Sequence, residues 1–311
     1  MKKALVTGVT GFAGSFLSEL LLEHGYDVYG TSLSSPKDTP SLHVTRLDLL
    51  DEKATEEYVK NVSPDVIFHL AALTSPAESF SNPSQTITNN ITAEVNVLEA
   101  VRLNNLSPRI LIVSSAEVYG LVDSSDLPID EETLLKPASP YAVSKIAQDF
   151  LGLQYNLSYN MDIVRVRPFN HIGPRQAPSF VVASFAKQIA EIEKKLIEPV
   201  IKVGNLDARR DFTDVHDMVR AYLLLLEQEK AGEVYNIGSG TSTKIADILD
   251  SLLALSTTKI EIKIDPARLR PSDTPDIYSD NTKIEEATGW KPQIPLAQTL
   301  EDTLNYWRES V

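Results

Sequence analysis

A tyrosine followed four positions later by a lysine, in the run SPYAVSK at 139–145, is the strongest chemical signal in the sequence. Side chains at i and i+4 stand one turn apart on one helix face, so Tyr141 and Lys145 can act as a pair. An ammonium beside a phenol favours the phenolate, which would lower the Tyr141 pKa and let the group exchange protons near neutral pH. Of the eleven tyrosines, only Tyr141 has lysine at that spacing. Such a pair also arises by coincidence on solvated helix faces. What makes it specific is IVSSAEVYG at 112–120, where a hydroxyl at the end of a strand could meet the same substrate oxygen.

A second signal opens the chain. TGVTGFAG at 7–14 sets Gly8, Gly11 and Gly14 between an apolar run and a helix-like stretch. In such a strand-to-helix turn the first glycine permits the bend, the second lets the backbone approach a pyrophosphate, and the third lets the helix pack closely. The spacing is three-and-three rather than the usual two-and-three, and a simple turn is the competing reading. Dinucleotide sites for NAD place an acid about 20 residues on, to hold the ribose 2′-hydroxyl. Here that place reads Gly30-Thr31-Ser32-Leu33, so nothing repels a 2′-phosphate, and NADP is favoured with NAD as the alternative. Lys37 or Arg46 would supply charge if it is needed. Asp48 suits an adenine amino group or, equally, a helix cap before Glu52.

These residues need a scaffold that brings strand ends together. Apolar runs at 4–7, 28–30, 66–70, 110–114 and 163–166 are rich in Val and Ile without polar alternation, as parallel strands covered on both faces are. Helix-period stretches lie between them at 12–23, 52–61, 86–103 and 140–159. The repetition implies an α/β fold, a Rossmann-type doubly wound parallel sheet, with ligands at the carboxyl ends of the strands. After Pro168 the regularity gives way to a helix at about 179–195, an isolated strand and a proline-rich tail, which predicts a smaller mixed α/β substrate domain. The expected division is residues 1–168, completed by about 206–237, for the dinucleotide, and 169–205 with 238–311 for the substrate.

Composition narrows the classes. A net charge of −14 argues against nucleic-acid and anionic-membrane surfaces, so any anionic ligand must be met locally. Arg175, the pair Arg209–Arg210 and Arg270 are candidates, although surface ion pairs are the commoner fate of an arginine. The apolar patch at 221–226 is far shorter than a bilayer crossing and reads as a buried helix face. The first six residues start like a signal peptide, but glycines interrupt the apolar segment and no small-residue cleavage site follows, so a cytoplasmic address is expected. With no cysteine, disulfides and thiolate chemistry are excluded, histidines number only five, and no metal is expected.

Taken in order, Gly8, Gly11 and Gly14, Asp48-Leu49, HLAA at 69–72, Asn90, SSAEVYG, Tyr141 with Lys145, RPFN at 167–170, RDFTDV at 210–215 and RPSD at 270–273 resemble an extended short-chain dehydrogenase/reductase of the nucleotide-sugar branch, from end to end. The resemblance implies that Ser115 and Tyr141 hydrogen-bond the sugar oxygen at C4, that Tyr141 passes the proton, and that Lys145 binds the nicotinamide ribose. It puts Thr10, Phe12, Ala13, Thr31, Ser32, Asp48, Leu49, Leu70, Ala71 and Ala72 at the cofactor beside the glycines, with His69 lining it. It puts Ser114, Asn170, Arg175, Lys202, Arg209, Arg270, Pro271, Ser272 and Asp273 at the sugar nucleotide, and pairs Arg210 with Asp211 internally.

Within the branch, FNHIGPRQ at 169–176 and VGNLDARRDFTDV at 203–215 resemble enzymes acting on GDP-sugars. The implied reaction is reduction of the C4 ketone of GDP-4-keto-6-deoxy-D-mannose by NAD(P)H to GDP-D-rhamnose. The competing reaction is 4,6-dehydration of GDP-mannose, for which Glu117 stands where the C5 base belongs. Ala116 in front of it, and the Phe212 and Ile172-Gly173-Pro174 positions, favour the reductase. A 4-epimerase and a non-catalytic dinucleotide sensor are further alternatives; the sensor is disfavoured because Ser115, Tyr141 and Lys145 are all present. Helices 86–103 and 140–159 resemble those that pair as a four-helix bundle in the family's homodimers, or bury their apolar faces within one chain.

Overall fold

The apolar runs become strands because each is covered on both faces. The computed structural model describes residues 1–34, 42–228, 230–268 and 274–311. In chain order its first part comprises β1 (Lys3–Thr7), α1 (Phe12–Glu23), β2 (Asp27–Ser32), β3 (Leu42–Arg46), α2 (Glu52–Val62), β4 (Val66–His69), α3 (Pro76–Ser81), α4 (Pro83–Leu103), β5 (Arg109–Val113), α5 (Pro140–Tyr159) and β6 (Ile163–Pro168). The remainder comprises β7 (Asn170–Ile172), α6 (Val181–Glu193), β8 (Val200–Val203), β9 (Arg209–Asp214), α7 (Val215–Gln228), β10 (Val234–Ile237), β11 (Ser242–Lys244), α8 (Ile245–Ala254), β12 (Glu261–Ile264), β13 (Asp276–Ile277), α9 (Thr282–Thr288) and α10 (Leu296–Ser310).

Seven parallel strands form one sheet in the order β10-β6-β5-β4-β1-β2-β3. Successive strand residues point to opposite faces. Leu5, Ile67, Ile110, Ile112 and Ile163 go to one side, against Val59 of α2, Val97 and Val101 of α4 and Tyr155 of α5. Ala4, Val6, Phe68, Leu111, Val164 and Val166 go to the other, against Leu17 and Leu21 of α1 and Met218 and Tyr222 of α7. The chain builds outward from β1 to β3, then crosses back to β4 and builds the other way. That reversal opens a crevice at the carboxyl ends of β1 and β4, where open α/β sheets bind ligands.

The second core gathers α6, α8 and α10 on a small sheet in which β9 pairs with β7, β11 and β13. Two strands differ from expectation, one in each sheet region. The edge strand β3 was not among the anticipated runs, since LHVTR is polar and half exposed. The strand expected to be isolated after α6 is β8, which pairs in parallel with β12. Arg209–Asp214 pairs within the small sheet, and the chain then runs through α7 to β10 of the large one. Among the described residues no helix is long and apolar enough to cross a membrane.

Candidate active site

The turn from β1 to α1 is set by close approaches. Gly8 has a left-handed φ of +71°, and a Cβ there would stand 3.1 Å from Ala71 Cα across the crevice. A Cβ on Gly14 would overlap the Gly8 carbonyl oxygen, so only glycine lets α1 start this near the turn. Gly11, the N-cap of α1, offers no side chain to the first-turn N–H groups, which leaves them for an anion. Thr7 Oγ1 accepts from Leu70 N and Ala71 N, each at 3.1 Å, which fastens the exit of β4 to β1. His69 lies behind this wall, 2% exposed, with Nδ1 3.1 Å from Thr7 Oγ1; burial pushes its imidazole down to about 3, so it is neutral.

At the end of β2 three hydroxyls join in a chain: Thr10 Oγ1 to Ser32 Oγ at 2.7 Å, and Ser32 Oγ to Ser34 Oγ at 3.0 Å. Arg46 is the β3 partner of Ser32 in register. Asp48 lines the crevice and accepts from Leu50 N at 3.0 Å, while the cap of α2 is Asp51, which accepts from Ala54 N at 3.1 Å. The two readings of Asp48 are thereby separated: it does not cap the helix.

Ser115, Glu117, Tyr141 and Lys145 line the same cavity, about 560 Å³ in volume, as the glycine turn. Their elements are locally well specified. Ser139 caps α5 by accepting from Ala142 N at 3.1 Å, Pro140 occupies the first turn, and Asn160 in the left-handed region at φ +54° closes the helix. Ser115 caps the short turn after β5, accepting from Glu117 N at 3.2 Å, and Ser114 Oγ donates to Lys145 O at 3.1 Å, tying β5 to α5.

The electrostatics differ from the expectation for the Tyr–Lys pair. Burial pushes the Tyr141 phenol up rather than down; the neighbouring Ser115 hydroxyl opposes the rise and Glu117 adds to it. The Lys145 ammonium is directed instead to Val113 O, at 2.8 Å, and burial lowers it to about 8 against the pull of Glu94.

All the cofactor residues expected at the turn and strand ends, Thr10 to Gly14, Thr31, Ser32, Asp48, Leu49 and Leu70 to Ala72, line the cavity, as do Ser114 and Asn170. Three expected substrate residues lie off it. Arg175 pairs with Glu19 at 2.6 Å and stacks over Phe16, Lys202 sits in the β8–β12 ladder, and Arg209 donates to Ser242 Oγ at 2.8 Å. Lys37, Arg270, Pro271, Ser272 and Asp273 fall outside the described residues. Asp211 is not held by Arg210: it accepts from the backbone and hydroxyls of Ser239 and Ser279 and from Gly240 N, while Arg210 donates to the carbonyls of Arg209 and Thr274.

The sequence reading missed Tyr222, His171 and Gln176, which line the cavity from α7, β7 and the loop after β7. It also missed Asp149, fully buried between Arg165 Nη1 and Arg167 Nε at 2.6 Å each. The Lys145–Asp149 spacing of one turn was available as a signal for the last of these.

Comparison with known proteins gives a consistent set. A profile of the family described as GDP-mannose 4,6 dehydratase matches residues 5–303. The chain is 37% identical over 311 residues to the GDP-6-deoxy-D-mannose reductase of Pseudomonas aeruginosa, covering 100% of this chain and 98% of that one. It is 32% identical to a GDP-mannose 4,6-dehydratase of Yersinia enterocolitica, over 96% and 91% of the two chains. The solved structure of RMD from Pseudomonas aeruginosa complexed with NADPH matches with a TM-score of 0.88 at 35% identity over 100% of both chains. A UDP-glucose 4-epimerase from Thermotoga maritima with UDP-glucose matches at 0.90 and 29% identity over 99% of each.

Proposed function

Because this chain belongs to the GDP-mannose 4,6-dehydratase family, we propose that it reduces the C4 ketone of GDP-4-keto-6-deoxy-D-mannose with NADPH, giving GDP-D-rhamnose. The observation that carries this reading is the wall at the end of β5. Ser115 joins Tyr141 and Lys145 at one cavity, while the residue before Glu117, where a proton donor for a departing hydroxyl would stand, is Ala116. The full-length identity to a reductase supports it.

The turn fits a dinucleotide: Gly14 lets α1 start against the Gly8 carbonyl, and Gly11 as its N-cap offers no side chain to the first-turn N–H groups, which suits a diphosphate at the α1 amino end. The Thr10–Ser32–Ser34 hydroxyls, with Arg46 alongside, suit a 2′-phosphate, so NADPH is preferred and NADH is the alternative. Bound NADPH supplies the hydride for C4. The chain's own residues do the rest. Ser115 hydrogen-bonds the ketone oxygen and polarises it. Tyr141, kept protonated by its burial, donates its proton to that oxygen as negative charge develops there. Lys145, held by Val113 O, faces the ribose and supplies a positive field to the phenolate left behind. Asn170, on the cavity wall, contacts the sugar diphosphate.

A dehydratase is the second reading, favoured by one observation: Glu117 lines the same cavity and is available as a base. Two incubations separate them. With the 4-keto-6-deoxy sugar and NADPH, the reductase consumes NADPH; with GDP-mannose and NADP, a dehydratase yields a product lighter by one water. Water loss in the second tube without NADPH consumption in the first overturns the proposal. We further read 1–168 with the α7–β10 return as the cofactor lobe and the remainder as the sugar lobe, and place the enzyme in the cytoplasm as a homodimer through α4 and α5.

A further inference from the structure

Behind the Tyr141–Lys145 pair lies a carboxyl that the proposed reaction does not use. Glu94 is in α4, one turn after Asn90, and is 1% exposed. Both its carboxyl oxygens are buried without a hydrogen-bond partner among the described residues. α4 packs along α5 and is tied to it one turn earlier, where Asn90 Nδ2 donates to Ser144 Oγ at 2.9 Å, so Glu94 stands against the stretch of α5 that carries Lys145, itself 3% exposed. An ionised carboxyl here without a counter-charge would be strongly disfavoured, and so would a buried ammonium facing a neutral acid. The arrangement that strands least charge is one proton divided between the two.

We propose that Glu94 is a positioning residue whose buried carboxyl, without a direct hydrogen bond to Lys145, titrates together with it so that the two hold one proton between them, which sets the pH range in which Lys145 is an ammonium at the Tyr141 site. The second half of this rests on the reductase reading; the first does not. The remaining groups facing the pair are accounted for. Gln148 of α5 lies beside Glu94, the Asp149 charge is taken up by Arg165 and Arg167 of β6, and His69 of β4 is neutral. Burial drives the Glu94 carboxyl well above the carboxylate range and the Lys145 amine down to about 8, and each is drawn back by the other.

The first test is a double-mutant cycle on the full chain without ligand at pH 7, with thermal unfolding of Glu94→Gln, Lys145→Met and the double variant. Each single change strands the partner, so the double variant should be more stable than the two single losses predict. Additive losses overturn the proposal. If Glu94→Gln does not fold but the double variant does, that rescue supports it as directly. The second test follows kcat against pH in the parent and Glu94→Gln. Without the carboxylate Lys145 releases its proton at lower pH, so the alkaline limb should move toward acid by about one pH unit, a loss of about tenfold at a pH on that limb. An unmoved limb in a folded variant overturns the control of Lys145. A parent that reduces no 4-keto sugar at any pH would instead remove the reductase reading, and the unfolding cycle would still decide the pair.

Discussion

The Tyr141 phenol is buried and raised, so in the unliganded protein it holds its proton firmly, and it can give that proton up only when charge develops on an oxygen beside it and Ser115. Removing the phenolic hydroxyl takes away a proton donor and little packing. Tyr141→Phe should therefore lower kcat by about 10²–10⁴-fold, with NADPH affinity, read by quenching of protein fluorescence, changed less than about threefold. An unchanged kcat removes Tyr141 from the mechanism. At the other end of the cavity, a carboxylate among the Thr10–Ser32–Ser34 hydroxyls would repel a 2′-phosphate and accept from a 2′-hydroxyl. Ser32→Asp should shift the ratio of kcat/KM for NADPH over NADH by at least about tenfold toward NADH, the scale of one misplaced charge. The hydroxyl chain was half legible in the sequence: the missing acid after β2 was visible, but the link to Thr10 from the glycine turn is a contact made only by folding. The arginines show the opposite limit. Arg175 and Arg209 looked like phosphate ligands by type, and only their partners Glu19 and Ser242 show where their charge and donors are directed.

Elements decide how firmly those groups are held. α5 carries both Tyr141 and Lys145, and it is pinned to β6 one turn later by Asp149, fully buried between Arg165 and Arg167. Arg167 also donates to Tyr119 Oη at 3.0 Å, which in turn donates to Asn236 Oδ1 at 2.7 Å, so the pin extends to β10. Asp149→Asn leaves two buried guanidinium groups without their counter-charge and should destabilise the fold by about 3–5 kcal/mol, read as a lower midpoint in urea at unchanged m-value. A loss below about 1 kcal/mol would show that water or another acid replaces the carboxylate. The helix itself was fully legible. Residues 140–159 were expected and α5 spans Pro140–Tyr159, because Ser139, Pro140 and Asn160 are strong stop and start signals. α1 likewise ends where its pattern does. β3 was illegible for a physical reason: an edge strand is covered on fewer sides, so its LHVTR carries no continuous apolar run to read. The Asp149 pin could not be read because its partners come from another strand.

At the scale of the whole molecule, the question is what covers α5. Its only charged side chains, Lys145 and Asp149, both face inward and are buried, so the outward face carries no charge. That face shows Val143, Phe150 and Leu157, 44%, 49% and 71% exposed, at a spacing of seven that aligns them in one stripe. Beside it α4 presents Ile87, Ile91 and Val95, partly exposed at a spacing of four. In a chain of net charge −14, copies repel wherever their surfaces are acidic, and a two-helix face whose partly exposed charges, Glu99 and Arg102 of α4, pair with each other at 2.6 Å is where two copies can approach most closely. Packing that face on its own symmetry mate gives four helices around one apolar seam. The parent should therefore sediment at twice 34.3 kDa at micromolar concentration. Phe150→Lys would put a like charge from each copy into the middle of the seam. It should yield a monomer, while the exposed position keeps the fold's own stability within about 0.5 kcal/mol. Because α5 also carries Tyr141 and Lys145, the separated chain should keep its cofactor affinity and lose kcat only as far as the helix loosens. A parent that sediments as a monomer, or a Phe150→Lys variant that stays a dimer, would mean that this stripe is not the interface.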